Sequence, residues 1–153
     1  MRRIITALGL ALALAGAVQA GQNRQDQYVT YTVEEDIEDV LFAIESEIIG
    51  RGYKIDTVSK VGAMLERTRA DVGGTRKIFR EAQIFSFCSA KLSREMMEID
   101  PANLAYCPYR VFMYATADNP DVSVVGHDIF PEGEMKKVEA LLDSIVRDAL
   151  GIE

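Results

Sequence analysis

The chain has 153 residues, with 24 acidic and 17 basic side chains for a net charge of −7, two cysteines, one histidine and no tryptophan. An acidic balance of this kind is poorly suited to nucleic acid or to anionic membrane surfaces. Its length fits one domain with room for a sizeable core.

Residues 1–20 have the layout of a secretory signal peptide. Arg2 and Arg3 form the basic start, an apolar run follows, and Val18-Gln19-Ala20 supplies small residues for cleavage. The apolar run is shorter than the roughly 20 residues that span a bilayer. We therefore expect a periplasmic or secreted protein beginning at Gly21, with no membrane insertion after cleavage. Losing the two arginines takes the net charge to −9. Residues 21–27 are polar and patternless and read as a flexible leader, and residues 28–151 as a single α+β domain.

Residues 28–33 are β-branched and aromatic, as a strand requires. Thr32, three residues before Glu35, suggests a capping box. A helix then carries Ile37, Val40, Leu41, Ile44 and Ile48 on one face until Gly50 and Gly52 stop it. Residues 53–58 form a second strand, and Ser59 caps a helix bearing Val61, Met64 and Leu65. Gly73-Gly74-Thr75-Arg76 follows that helix and lacks the lysine of a phosphate loop, so it is a helix stop. The nearby basic residues, Arg67 to Arg80, are diluted by acids and read as a solvated face.

Residues 78–88 form a long strand with a bulge near Glu81, ending in Phe85-Ser86-Phe87-Cys88. Leu92, Met96 and Ile99 mark a short helix that Asp100-Pro101 ends. Residues 109–117 and 122–129 form a hairpin around Asp118-Asn119-Pro120-Asp121. A last helix buries Met135, Val138, Leu141, Leu142, Ile145, Val146 and Ala149. The order predicts a small antiparallel sheet with helices packed on one face. In the hairpin, Val111, Met113 and Ala115 face one way and Arg110, Phe112 and Tyr114 the other. A face carrying Phe112 and Tyr114 needs a cover, which makes them the candidate interface or ligand face. The covering partner is a second copy of the chain, an unknown small molecule or an envelope protein.

The segments FCSAKLSREMMEIDP and NLAYCPYRVFMY resemble the family called domain of unknown function three-hundred-and-two, in particular an exported subgroup with a cysteine on each side of the short helix. The resemblance implies a small antiparallel curved sheet with helices on one face, a TATA-binding-protein-like arrangement. It implies no catalytic activity and no cofactor.

Cys88 and Cys107 are the candidate disulfide or redox pair. In an oxidising compartment two cysteines in a small domain suit a structural bridge. Closing that loop of roughly 20 residues would be worth about 3 kcal/mol in the chain-entropy view. The alternative is a redox or sulfur-handling pair, with Cys88 activated by Lys91 and a helix N-terminus and Cys107 as resolving thiol. If the strands that flank the pair are antiparallel, the two cysteines meet. His127 stands alone, short of the three or four ligands of a metal site, and Met96 suits the core. No catalytic constellation is identifiable. The sequence points to an exported, non-catalytic binding or assembly domain, with the thiol-redox protein as the alternative.

Overall fold

The computed structural model describes residues 21–24 and 27–152, so the expected signal peptide lies outside the described residues. Strands β1 (Gly21–Arg24), β2 (Tyr28–Val33), β3 (Ile55–Ser59), β4 (Phe79–Phe87), β5 (Tyr109–Thr116) and β6 (Ser123–Asp128) form one sheet. Its order is β1-β2-β6-β5-β4-β3, and every neighbouring pair is antiparallel. The helices are α1 (Ile37–Gly50), α2 (Val61–Thr68), α3 (Ala90–Ile99) and α4 (Lys136–Ala149), with a 3-10 helix at Pro101–Tyr106. The α+β antiparallel reading of the sequence holds.

The alternation of β5 decides the layering. Tyr109, Val111, Met113 and Ala115 are buried, while Arg110, Phe112, Tyr114 and Thr116 are partly or largely exposed. The buried set joins Val29, Tyr31 and Val33 of β2 and Val125 of β6 in one core. The apolar stripes of α1 (Ile37, Val40, Ile44, Ile48) and α4 (Val138, Leu142, Ile145, Val146) cover that face. Burying such side chains contributes about 1.5–3 kcal/mol each.

Four local expectations are corrected. Residues 21–24, read as leader, pair with β2 as β1. Their strand shows no apolar period because its contacts are polar: Gln22 Nε2 donates to the Tyr31 hydroxyl at 3.2 Å and Arg24 Nη1 to Glu139 at 3.0 Å. Thr32 remains in β2, and the cap of α1 is Asp36, whose carboxylate accepts from the Glu38 N–H at 2.9 Å. Lys60 stands at the start of α2 in place of Ser59, which ends β3. The helices do not all share one face: Gly62 of α2 sits against the backbone and Cβ of Ala82, whose cross-strand partner is Tyr114 of the opposite face. The bulge expected near Glu81 is present, as a register shift between Phe79 and Glu81.

Candidate functional site

The first candidate is the thiol corner. Antiparallel pairing sets Phe87 of β4 opposite Tyr109 of β5. Cys88 follows directly on β4 and Cys107 lies two residues before Tyr109, so α3 and the 3-10 helix form an excursion that returns to its origin. Local capping shapes the excursion. Ser89 Oγ accepts from the Leu92 N–H at 3.3 Å, Asp100 Oδ1 from the Ala102 N–H at 2.9 Å, and Asn103 Nδ2 donates to the Met96 carbonyl at 2.8 Å. The Cys107–Pro108 peptide is cis.

Both cysteines are free thiols, half-buried, and their sulfurs are not at disulfide distance. The Cys107 thiol points to Ser93 Oγ at 3.6 Å, and Ser93 Oγ donates to the Tyr109 hydroxyl at 3.1 Å. Burial first, and then the neighbouring Cys107, push the Cys88 thiol above its ordinary pKa, with the Tyr109 N–H opposing. The thiol-redox alternative expects an activated, low-pKa Cys88, and the direction is the reverse. Lys91 lies exposed and is not among the groups that move Cys88 most. Tyr109, almost wholly enclosed, is raised to about 12 by burial and by the two sulfurs. Cys107 opens onto a pocket of about 520 Å³ that Gln27, Tyr106, Arg110, Asp128 and Phe130 also line.

The second candidate is the sheet face turned away from α1 and α4. Tyr28 and Phe112 meet edge-on with ring centres 5.8 Å apart, and Phe79 and Tyr114 do so at 5.5 Å. Between the two pairs runs a groove of about 350 Å³ over Ile84, Phe112 and Tyr114. Arg110 closes one end, gripping Asp128 through Nε at 3.0 Å and Nη2 at 2.9 Å. Gly126 lies beneath Phe112, its cross-strand partner, and gives the ring its seat. A smaller apolar hollow of about 200 Å³ continues toward Val61 of α2. Phe112 and Tyr114 thus lie where alternation placed them.

His127 is on the other face, fully buried under α4. Its Nδ1 is 2.9 Å from the Asp128 carbonyl and its Nε2 is 3.3 Å from Asp143 Oδ1. The Tyr31 hydroxyl donates to the same carboxylate oxygen, and burial followed by that carboxylate raises Tyr31 to about 12. This is a satisfied core histidine with a polar network of its own. Among the described residues no three His, Cys, Asp or Glu side chains converge as a metal site would require.

Sequence reasoning missed Asp143, Glu139, Tyr28, Ile84 and the Arg110–Asp128 pair. Glu139 and Asp143 are one turn apart on α4, beside its apolar stripe, and acids in that position are the available signal. Glu139 is buried and accepts from the Phe130 N–H at 2.9 Å and from Lys136 at 2.7 Å.

Comparison with known proteins returns a fold and no chemistry. The family described as "Domain of unknown function DUF302" matches residues 29–149. No curated protein matches the chain. Among solved structures, the crystal structure of uncharacterized conserved protein DUF302 from Bacillus stearothermophilus is similar at 13% identity and a TM-score of 0.55. It covers 79% of this chain and 88% of that one. At that identity the likeness speaks for the fold alone.

Proposed function

The chain belongs to the domain of unknown function family DUF302, and on that premise we propose that it is an exported, non-catalytic binding or assembly domain that works through its open sheet face. The observation that supports this is the aromatic groove over Ile84, Phe112 and Tyr114, whose apolar floor ends at the Arg110–Asp128 pair. Apolar surface of this kind is retained where something covers it. The cover is a small molecule, an envelope protein or a second copy of the chain. Export removes residues 1–20. In the oxidising compartment Cys107 turns from Ser93 toward Cys88 to close a bridge that fixes the α3 excursion, a movement required because the two sulfurs are not at disulfide distance in the fold.

Ile84→Glu tests the reading, because Ile84 lies in the groove, half-buried, across from Phe112 and outside the core. Light scattering and titration with an anionic naphthalene dye are run on wild type and variant. We expect the wild-type protein to self-associate or to bind dye, and the variant to lose that property while staying folded. A wild-type monomer that binds no dye, or dye binding equal in the two proteins, would overturn it.

A second reading, the thiol-redox protein, has its own support. Two free thiols lie side by side, and one of them faces a pocket.

A further inference from the structure

We propose that the pocket beside Cys107 binds a small anionic disulfide of peptide size, and that Cys107 and Cys88 reduce it in turn. The inference rests on the thiol-redox reading and adds the substrate class and the order of the two sulfurs.

The pocket has the size of a small-molecule site: about 520 Å³, against roughly 300–1,000 Å³ for such sites. Its walls are of three kinds. Cys107 supplies the sulfur. Tyr106 and Phe130, with ring centres 5.6 Å apart, form an apolar side. Arg110 supplies the cation. Its Nε and Nη2 hold Asp128, its side chain is half-exposed, and among the described residues Nη1 takes no partner, which leaves it for a ligand oxygen. A guanidinium at the mouth of a thiol pocket selects carboxylates, which it meets with directed hydrogen bonds.

The geometry also assigns the order. Cys107 lines the pocket and Cys88 does not. Cys88 lies behind it and is kept as the thiol by burial and by its neighbour. The Cys107 thiolate attacks one sulfur of the ligand, the ligand's S–S bond breaks, and one half leaves as a thiolate. A mixed disulfide joins Cys107 to the other half. Cys88 then gives up its proton and attacks Cys107 Sγ, forming the Cys88–Cys107 bond and expelling the second thiolate. The protein loses two electrons and the ligand gains them. The two protons of the protein thiols end on the two ligand thiols. Cys107 must leave the Ser93 hydroxyl for the second step, since that contact directs it away from a bridging position.

The test uses the reduced protein with two probes: oxidised glutathione, which is anionic and peptide-sized, and 2-hydroxyethyl disulfide, which is uncharged. Intact-mass measurement follows the adducts and the internal bridge. We expect glutathione to oxidise wild type to the internal disulfide. Cys88→Ser should accumulate a single glutathione adduct, mapped to Cys107, and Cys107→Ser should form adduct far more slowly. Arg110→Met should slow the glutathione reaction about fivefold, the scale of an exposed ion pair, and leave the uncharged probe unchanged. Asp128→Asn frees the guanidinium and should quicken glutathione alone, an opposite sign that a purely structural role would not give.

Two results would overturn the inference, and they differ. If both probes form the internal bridge and neither rate responds to Arg110 or Asp128, the substrate assignment fails while the redox pair stands. If neither probe yields the bridge in the folded protein, the redox reading fails with it.

Discussion

Gly126 is the position where the open face is most tightly determined. Its φ is not in the left-handed region, so any residue could take its backbone conformation. The requirement is space. A Cβ there would stand 2.7 Å from Phe112 Cε2, nearer still to Cζ, and 2.8 Å from the Val29 carbonyl oxygen. The ring can swing aside, at the loss of its edge-on contact with Tyr28, worth about 0.5–1.5 kcal/mol. The Val29 carbonyl is backbone of β2, paired to β6 along its whole length, and can move only with the ladder. Overpacking of this kind costs about 1–3 kcal/mol, so Gly126→Ala should destabilise by about 1.5–4.5 kcal/mol in all. Equilibrium urea unfolding reads this as a lower midpoint at unchanged slope. A double-mutant cycle sharpens it: Phe112→Ala should cost less in the Gly126→Ala background than in wild type, because the ring has already lost its seat. A Gly126→Ala protein as stable as wild type, or additive single changes, would refute the reasoning.

Three further outcomes are expected. Tyr31 and Tyr109 rise from 10.0 to about 12 on folding, so the unfolded chain releases those protons first. The contribution of the two tyrosines is complete below pH 10 and is lost between 10 and 12, about 2–3 kcal/mol for each. Cys88, raised from 9.0, adds loss of the same sign from a lower pH. Tyr109→Phe should flatten the alkaline limb of urea midpoint against pH, and an unchanged limb would show the assignment wrong. In an ordinary helix Gly→Ala gains about 1 kcal/mol. At Gly62 the new Cβ meets the Ala82 nitrogen at 2.7 Å, so Gly62→Ala should lower the melting temperature, and a rise would contradict the close packing of α2. Finally, N-terminal sequencing of exported protein should begin at Gly21, and material beginning at Met1 would end the export reading.

The legible parts of the chain were those where one physical signal dominates. The period of α1 and α4 and the alternation of β5 each report a single buried face, so their residues fell where spacing put them. Antiparallel topology followed from the short Asp118–Asp121 turn and placed the two cysteines at one corner. What was hidden depended on partners far along the chain. β1 is held by Tyr31 and Glu139, and nothing in Gly21–Arg24 announces them. The 3-10 helix at Pro101–Tyr106 is stabilised by Asp100 and by Asn103 reaching back to Met96, signals too short for any period. Cys88 looked activated because Lys91 is near in sequence. In the fold, burial and a second sulfur raise the thiol against the opposing Tyr109 N–H.

Arg110 and Asp128 belong to both candidate sites, and this ties the two together. They close the aromatic groove on one side and line the Cys107 pocket on the other, and Gln27 is likewise common to both. Their strands meet through the neighbouring Val111–His127 pair, and His127 is anchored from the opposite face by Asp143 of α4. The pair is therefore carried on the two central strands of the sheet, although its own atoms lie near solvent. An exposed ion pair of this kind contributes under about 1 kcal/mol to stability, so the fold does not depend on it. A ligand that recruits Arg110 on either side takes the guanidinium from the other. Groove and thiol pocket then cannot both use it at once, and occupation of the sheet face would slow reaction of an anionic disulfide at Cys107 while sparing an uncharged one.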